Sequence, residues 1–358
     1  MRHPYVGQPQ RQFWTREPGI ADPASLDPIG EVPFRLKRSD RIVTAGSCFA
    51  QHVARFLSQS GYDHYIAEPA HPFIRPETAK KHHYGLFSAR YGNVYTARQL
   101  LQLLQRAHHQ FEPIDDAWSA PQTDRFVDPF RPQIQPGGFL SKSELRADRT
   151  HHLSRVRDAV AKMDVFVFTL GLTESWRDRR DGAVFPLAPG VAGGIYDSDL
   201  VEFVNFDETS TYEDLRIALN FIRAINPAVR IILTVSPVPL NATYENRHVL
   251  LSTTWSKAVL RIVAEKATRE FSDCVYFPSY EIITSPHVRG QYYADDCRDI
   301  RQTGVDHVMR LFLQHFSEQE TTPADSVLHP SAGRAGNHLD EMEENIQILC
   351  DEASISNQ

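Results

Sequence analysis

Two kinds of apolar segment alternate along most of the chain. Short runs of β-branched and aromatic residues without polar alternation occupy positions 42–45, 165–170, 230–235 and 275–277. Such runs are typical of parallel strands that are covered on both faces. Longer segments with apolar residues at helical spacing predict helices that begin near positions 49, 96, 145, 212, 249 and 303. The repeated order of strand and helix predicts an α/β fold with a doubly wound parallel sheet.

The segments outside this alternation indicate how the chain is organised. Residues 1–40 are rich in proline and polar residues and predict an extended N-terminal arm. Residues 41–316 then form one α/β domain. Two stretches inside it, near 111–144 and 178–210, lack periodicity and predict long insertions. Long loops in compact domains are usually lids or binding loops.

Two further segments carry weaker patterns. Residues 63–68 predict a second strand after the first helix. After position 317 the composition becomes polar, so we expect residues 317–358 to form a tail that is disordered or loosely helical, with the helical pattern over 339–349.

Composition and charge exclude several classes of function. A net charge of −7, with no cluster of lysine and arginine between aromatic residues, predicts no nucleic-acid partner. No apolar run has membrane-spanning length and the start lacks a secretory pattern, so we expect a cytoplasmic protein without a membrane partner. The four cysteines are widely spaced, which predicts reduced thiols. No histidine or cysteine residues have the spacing of a metal site, so we expect neither a metal nor another cofactor.

The first strand breaks sharply into a helix at Ser47. Gly46 allows a tight turn, so the Ser47 hydroxyl would project from the carboxyl edge of the sheet, beside the free N–H groups of a helix start. Open α/β sheets bind ligands at this edge. The alternative is that Ser47 only caps the helix. Turns at 171–174, 236–239 and 295–299 are expected to converge on the same edge.

The residues at these turns resemble a known family. Gly-Ser-Cys-Phe-Ala at 46–50, with Thr-Leu-Gly-Leu-Thr-Glu-Ser-Trp at 169–176 and Thr-Val-Ser-Pro-Val-Pro at 234–239, is similar to the GSCFA family, a branch resembling the SGNH/GDSL hydrolase superfamily. The resemblance covers roughly residues 40–316. It implies a flavodoxin-like SGNH-hydrolase architecture with Ser47 as the nucleophile of an acyl-serine intermediate.

The resemblance also implies donors for the oxyanion of a tetrahedral intermediate. The helix start at Ser47 would give one backbone amide. A second block would give a glycine amide, from Gly85 or Gly92, and the side chain of Asn93. The third block, usually Gly-x-Asn-Asp, would contribute Gly171, Thr173 and Glu174, with the Thr173 hydroxyl in place of the usual amide.

The last block departs from the superfamily pattern of Asp-x-x-His. Asp296 aligns with the Asp, but Asp299 stands at the His position, so the usual base is absent. His248, in a loop at the carboxyl edge, is the leading candidate for a replacement base, and His307, in the final helix, is the weaker one. Cys48 is an alternative nucleophile, because a thiol at a helix start can have a lowered pKa.

Three functions follow from these residues. The first is a serine-dependent hydrolase of an O-acyl ester, such as an O-acetylated carbohydrate or another small molecule. The second is an O-acyltransferase that passes the acyl group from Ser47 to a glycan or other alcohol. The third is a non-catalytic binding module, favoured by Thr173 and Asp299 at the positions of the usual Asn and His.

Overall fold

A computed structural model describes residues 3–318 and 350–356. Within them the strands are β1 (Ile42–Gly46), β2 (Trp118–Ser119), β3 (Phe126–Val127), β4 (Val165–Leu170), β5 (Glu174–Asp178), β6 (Val184–Phe185), β7 (Val201–Asn205), β8 (Arg230–Val235) and β9 (Cys274–Phe277). Strands β1, β4, β8 and β9 form the central sheet in the order β1-β4-β8-β9, and every pair is parallel.

Helices follow the central strands, as the alternation predicts. They are α1 (Phe49–Gln59), α2 (Pro76–Lys81), α3 (Ala97–Ala107), α4 (Lys142–Lys162), α5 (Glu208–Ile225), α6 (Val249–Glu270), α7 (Ser279–Thr284), α8 (Gln302–Phe316) and α9 (Ala353–Ser356). The predicted α/β class and doubly wound parallel sheet are confirmed.

Helices cover both faces of the sheet, and the side-chain alternation of β4 shows how. Phe166 and Phe168 point into a core made with α3, α4, α5 and α6. Val165 and Val167 point into a second core made with α1, α7 and α8. Burying each of these large apolar side chains stabilises the fold by roughly 1.5–3 kcal/mol.

The register of the sheet brings the ends of its strands to one edge. Gly46 pairs with Thr169, and Thr169 pairs with Thr234. The residues that follow therefore leave the sheet side by side, and the Ser236 amide donates to Leu170 O at 2.8 Å. We call this side of the sheet the carboxyl edge.

The two predicted insertions contain short antiparallel strands. Strands β2 and β3 form a two-stranded sheet in the first insertion, and β6-β5-β7 form a three-stranded sheet that extends into the second. Strands β2, β3 and β6 have only two residues each, which is too short to produce a periodic pattern, whereas β7 has five residues and was missed.

The predicted strand over 63–68 is wrong. The chain forms a single parallel bridge there, between His64 and Ile42, before it turns away. The His64 ring makes further contacts to the first strand and to a neighbouring loop. Its Nε2 lies 3.1 Å from Thr44 Oγ1 and 3.2 Å from Ser88 Oγ.

The ends of the chain pack on the domain in different places. The arm before β1 contains four 3-10 turns between Gln10 and Ser25, and it buries Leu26 and Leu36 in the core beside α8. The predicted helical pattern over 339–349 lies outside the described residues. No helix in the described part of the chain is long and apolar enough to cross a membrane.

Candidate active site

Ser47 lies at a turn that only glycine allows. Gly46 has φ +135°, and a Cβ there would stand 2.3 Å from Thr169 O. The Ser47 amide donates to Thr169 O at 3.1 Å, so this predicted oxyanion donor is already used. The Ser47 hydroxyl is buried and has no hydrogen-bond partner among the described residues. The alternative role of Ser47 as a helix cap is wrong, because Cys48 holds the cap position of α1.

Gly171 lies directly against Ser47. A Cβ on Gly171 would come within 2.9 Å of Ser47 Cβ, so a side chain here would displace the serine. The Gly171 amide donates to Tyr95 O at 3.0 Å, which fixes the turn after β4. Its carbonyl oxygen faces the interior and accepts a hydrogen bond from Lys257 Nζ at 2.7 Å.

Lys257 is a site residue that the sequence did not indicate. It lies in the middle of α6, and it is fully buried. Burial lowers its pKa to about 8, because removing the ammonium from water disfavours the charged form. A lysine inside an amphipathic helix carries no motif, so only the packing of α6 against the carboxyl edge reveals it.

Asn93 also lies at the carboxyl edge, and Gly92 is beside it. The Asn93 side chain accepts from Gln51 Nε2 at 3.1 Å and donates through Nδ2 to the carboxylate of Asp351 at 2.9 Å. Gly92 has φ +71° and lines a cavity of about 10 Å³ together with Asn93 and Asp351. Gly85 is exposed with open space around it, and no described contact links it to Ser47.

Thr173 and Glu174 hold neighbouring loops together. Thr173 Oγ1 donates to Asn205 Oδ1 at 2.7 Å, so its hydrogen is directed to β7. Glu174 accepts from Thr243 Oγ1 at 2.6 Å and from the Tyr244 amide at 3.3 Å, and its burial raises its pKa. In this arrangement neither side chain is directed at Ser47.

The loop of the last block presents an arginine instead of a histidine. Asp296 Oδ1 accepts from the amides of Arg298 and Asp299, both at 3.0 Å, and so closes a tight turn. The Asp299 side chain is 72% exposed. Arg298 points inward, and its guanidinium donates to Glu352 Oε2 at 3.1 Å and to Cys350 Sγ at 3.4 Å. Asp296 therefore positions Arg298 within this loop.

Both candidate histidines are used elsewhere. His248 is exposed, and its Nδ1 accepts from the Leu250 amide at 3.1 Å as the cap of α6. His307 is buried, with Nδ1 2.6 Å from Tyr292 Oη and Nε2 2.9 Å from Leu26 O. These bonds tie α8 to the N-terminal arm and leave neither ring nitrogen of His307 free.

Cys48 is a free, buried cysteine whose surroundings favour the protonated thiol. A hydrogen bond with Cys350 and burial hold its pKa well above the ordinary range of a thiol. A thiol is a weak nucleophile compared with its thiolate. The arrangement therefore favours Ser47 over Cys48 as the reactive group.

Residues 350–356, which we call the C-terminal segment, occupy the carboxyl edge. Asp351 accepts from Asn93, and its amide donates to Tyr95 Oη at 3.1 Å. Glu352 pairs with Arg298, and its carbonyl oxygen accepts from Asn241 Nδ2 at 2.9 Å. Burial raises the pKa of Asp351 to about 6 and that of Glu352 to about 7. These contacts join positions far apart in sequence, so no local pattern predicts them.

The described residues hold no group of three or more His, Cys, Asp or Glu side chains arranged to bind a metal ion.

A comparison with curated proteins finds no match. The model of the GSCFA family matches residues 41–312, which is more than half of the chain. The matched region begins just before β1 and includes Ser47, Gly171, Lys257 and Arg298. The chain therefore belongs to the GSCFA family.

Proposed function

We propose that the protein is an SGNH-like, serine-dependent hydrolase of an O-acyl ester, with a small molecule or a carbohydrate as the alcohol. The observation that carries the proposal is the buried, unbonded hydroxyl of Ser47 at a glycine turn on the carboxyl edge. A buried hydroxyl without a partner costs about 1–3 kcal/mol, and such a cost is retained where the group serves a function.

Lys257 is the proposed base. A serine hydroxyl needs a base to remove its proton, and Ser-Lys pairs perform this chemistry on other folds. Lys257 Nζ bonds the carbonyl of Gly171, the residue that lies against Ser47. With a pKa of about 8, a large fraction of the amine is neutral in weakly alkaline solution. The neutral amine can donate to Gly171 O and still accept a proton.

The proposed reaction has two halves. Lys257 takes the proton of Ser47 as the serine oxygen attacks the ester carbonyl, and the ammonium then protonates the leaving alcohol. Water attacks the acyl-serine, with Lys257 again accepting a proton, and releases the carboxylic acid. The proton returns to Ser47 in the last step.

Two donors are proposed for the oxyanion. Asn93 Nδ2 is one, and the Cys48 amide is the other, since no backbone carbonyl in the described residues accepts from it. Arg298 would contact a polar or anionic part of the substrate. One oxyanion donor typically contributes about 10²–10³ in rate.

Turnover of p-nitrophenyl acetate by the purified full chain tests the proposal. We expect hydrolysis that Ser47→Ala lowers at least about 1,000-fold, while the exposed control Ser39→Ala retains it. Acceptor alcohols added to the same assay separate hydrolysis from acyl transfer. Equal turnover by Ser47→Ala and wild type would contradict the role of Ser47.

A further inference from the structure

The C-terminal segment contacts groups on several sides of Ser47. The Cys350 thiol forms a hydrogen bond with the thiol of Cys48, the residue that follows Ser47, and both cysteines are free. The Asp351 side chain accepts a hydrogen bond from the side-chain amide of Asn93. These two contacts come from the turn after β1 and from the loop before α3. The segment therefore bridges the loops that surround the nucleophile.

Its second carboxylate lies among cations. Glu352 Oε2 lies 3.1 Å from Arg298 Nη2, and Lys257 also attracts this carboxylate. Asn241 Nδ2 donates to the backbone carbonyl of Glu352, and Gln133 Nε2 donates to Ser354 Oγ at 2.8 Å. Side chains from separate loops thus bind consecutive parts of one short segment.

The fit between the segment and the edge is tight. Asp351 is 3% exposed and Glu352 is 7% exposed. The cavity that Asp351 and Asn93 line together with Gln133 measures only about 10 Å³, which is close to the volume that one water needs. Two acidic side chains are buried this deeply only when partners satisfy them. The donors on the edge supply these partners.

We propose that the C-terminal segment is an internal ligand of the Ser47 site, which competes with substrate and marks the site as one that binds acidic ligands. Asp351 occupies the Asn93 amide, a donor that the transition state would need. Glu352 occupies Arg298. Competition with substrate rests on the proposed function, but binding of the segment to the edge does not.

Cysteine alkylation of the full chain tests the binding without any need for catalysis. N-ethylmaleimide modification, followed at each cysteine by peptide mass spectrometry, would be compared in wild type and Glu352→Lys. The substitution places an ammonium group against Arg298 and Lys257, and like charges should expel the segment. Glu318→Lys, at an exposed glutamate, is the control with the same change of charge.

The other cysteines serve as internal standards. Cys297 is exposed and should react rapidly in every protein, whereas Cys274 is buried in the core and should stay protected while the fold is intact. We expect Cys48 to react about tenfold faster or more in Glu352→Lys, with Cys274 still protected. Asp351→Lys should act in the same way. A peptide of residues 350–358 carrying Cys350→Ser, added to the Glu352→Lys protein, should slow the reaction of Cys48 again.

The outcomes separate the two proposals. If Cys48 reacts equally in wild type and in both variants, with Cys274 protected in all, the segment is not a ligand of the site. If Cys48 becomes reactive and esterase turnover rises, the segment competes with substrate. If Cys48 becomes reactive and turnover falls, the segment completes the site and the competition is overturned. If Cys48 becomes reactive and no protein hydrolyses ester, the segment binds the edge, and the proposed function and the competition fail with it.

Discussion

Asn93 Nδ2 donates to Asp351 Oδ2 at 2.9 Å, across 258 positions of sequence. The bond fills a donor at the carboxyl edge with a carboxylate from the other end of the chain. The Asp351 oxygen accepts from this amide as the oxygen of an ester carbonyl would during acyl transfer. The same amide would therefore serve the C-terminal segment and the transition state in turn.

Asn93→Ala tests whether the Asn93 amide binds the transition state. In the Glu352→Lys chain, where the segment is expected to be displaced, we predict that Asn93→Ala lowers kcat for p-nitrophenyl acetate about 100-fold with little change in KM. Steady-state kinetics measures this. Asn246→Ala, at an exposed asparagine, is the matched control and should be neutral. An unchanged kcat would remove Asn93 from the oxyanion site.

Docking of the C-terminal segment should weaken as the pH rises. Burial raises the pKa of Asp351 to about 6 and that of Glu352 to about 7, against ordinary values near 4. A raised carboxyl pKa means that docking favours the protonated acid, so this contribution is full below about pH 4 and is lost as the pH rises through 6 to 7.

Some of the groups around Asp351 and Glu352 raise the pKa values of these acids, and others lower them. Cys350 raises both pKa values, whereas Arg298 and Lys257 lower that of Glu352, and Asn93 and Tyr95 lower that of Asp351 by hydrogen bonding. Amide hydrogen exchange of residues 350–356, corrected for the intrinsic rate, should show less protection at pH 8 than at pH 5.5. Glu352→Gln should reduce this dependence. Protection that increases with pH would reverse the sign we expect.

Lys257→Met tests the proposed base. The substitution keeps an unbranched buried side chain but removes the amine, so we predict a loss of kcat of about 10²–10⁴. Activity of the wild-type chain should rise toward pH 8, because the neutral amine is the reactive form and burial lowers its pKa to about that value. A pH–rate profile measures both effects.

Lys266→Met, on the same helix, provides the control for Lys257→Met. Lys266 lies 2.6 Å from Glu208 in a partly exposed ion pair, and such pairs contribute about 0.2–1 kcal/mol to stability. Its kcat should match that of wild type. If Lys257→Met keeps the wild-type kcat and pH profile, another group is the base.

Gly46→Ala should damage both the fold and the site. The new Cβ would lie 2.3 Å from Thr169 O in a backbone with φ +135°. We predict a loss of about 2–4 kcal/mol in the free energy of unfolding, measured by urea denaturation. Gly30→Ala meets no atom within 4 Å and should change stability little. Equal stability of both variants would contradict the geometry of the Ser47 turn.

Much of the fold could be predicted from sequence because local patterns determine it. The apolar runs of β4 and β8 are buried along their length, the apolar residues of α1 and α3 recur at helical spacing, and the order of these elements restricts the topology. The predicted strand over 63–68 failed because its backbone forms only one bridge, at His64. The two-residue strands β2, β3 and β6 are too short for any period to appear.

The site was only partly predictable. Ser47 and Gly171 lie in turns that directly follow β1 and β4, which the strand pattern predicts, whereas Asn93 was indicated only by the resemblance. Lys257 lies in a helix without a motif, and Arg298 lies between the two acids, Asp296 and Asp299, that align with the superfamily pattern. The docking of Asp351 depends on tertiary contact alone, which no spacing rule reveals.

The most direct measurement of the central claim is the site of covalent labelling by a serine-directed fluorophosphonate. We predict a single adduct on Ser47, found by peptide mass spectrometry, which forms faster in Glu352→Lys than in wild type and is absent in Ser47→Ala. Failure to label Ser47 in either wild type or Glu352→Lys between pH 6 and about 9, where Lys257 is expected to become neutral, would contradict Ser47 as the nucleophile.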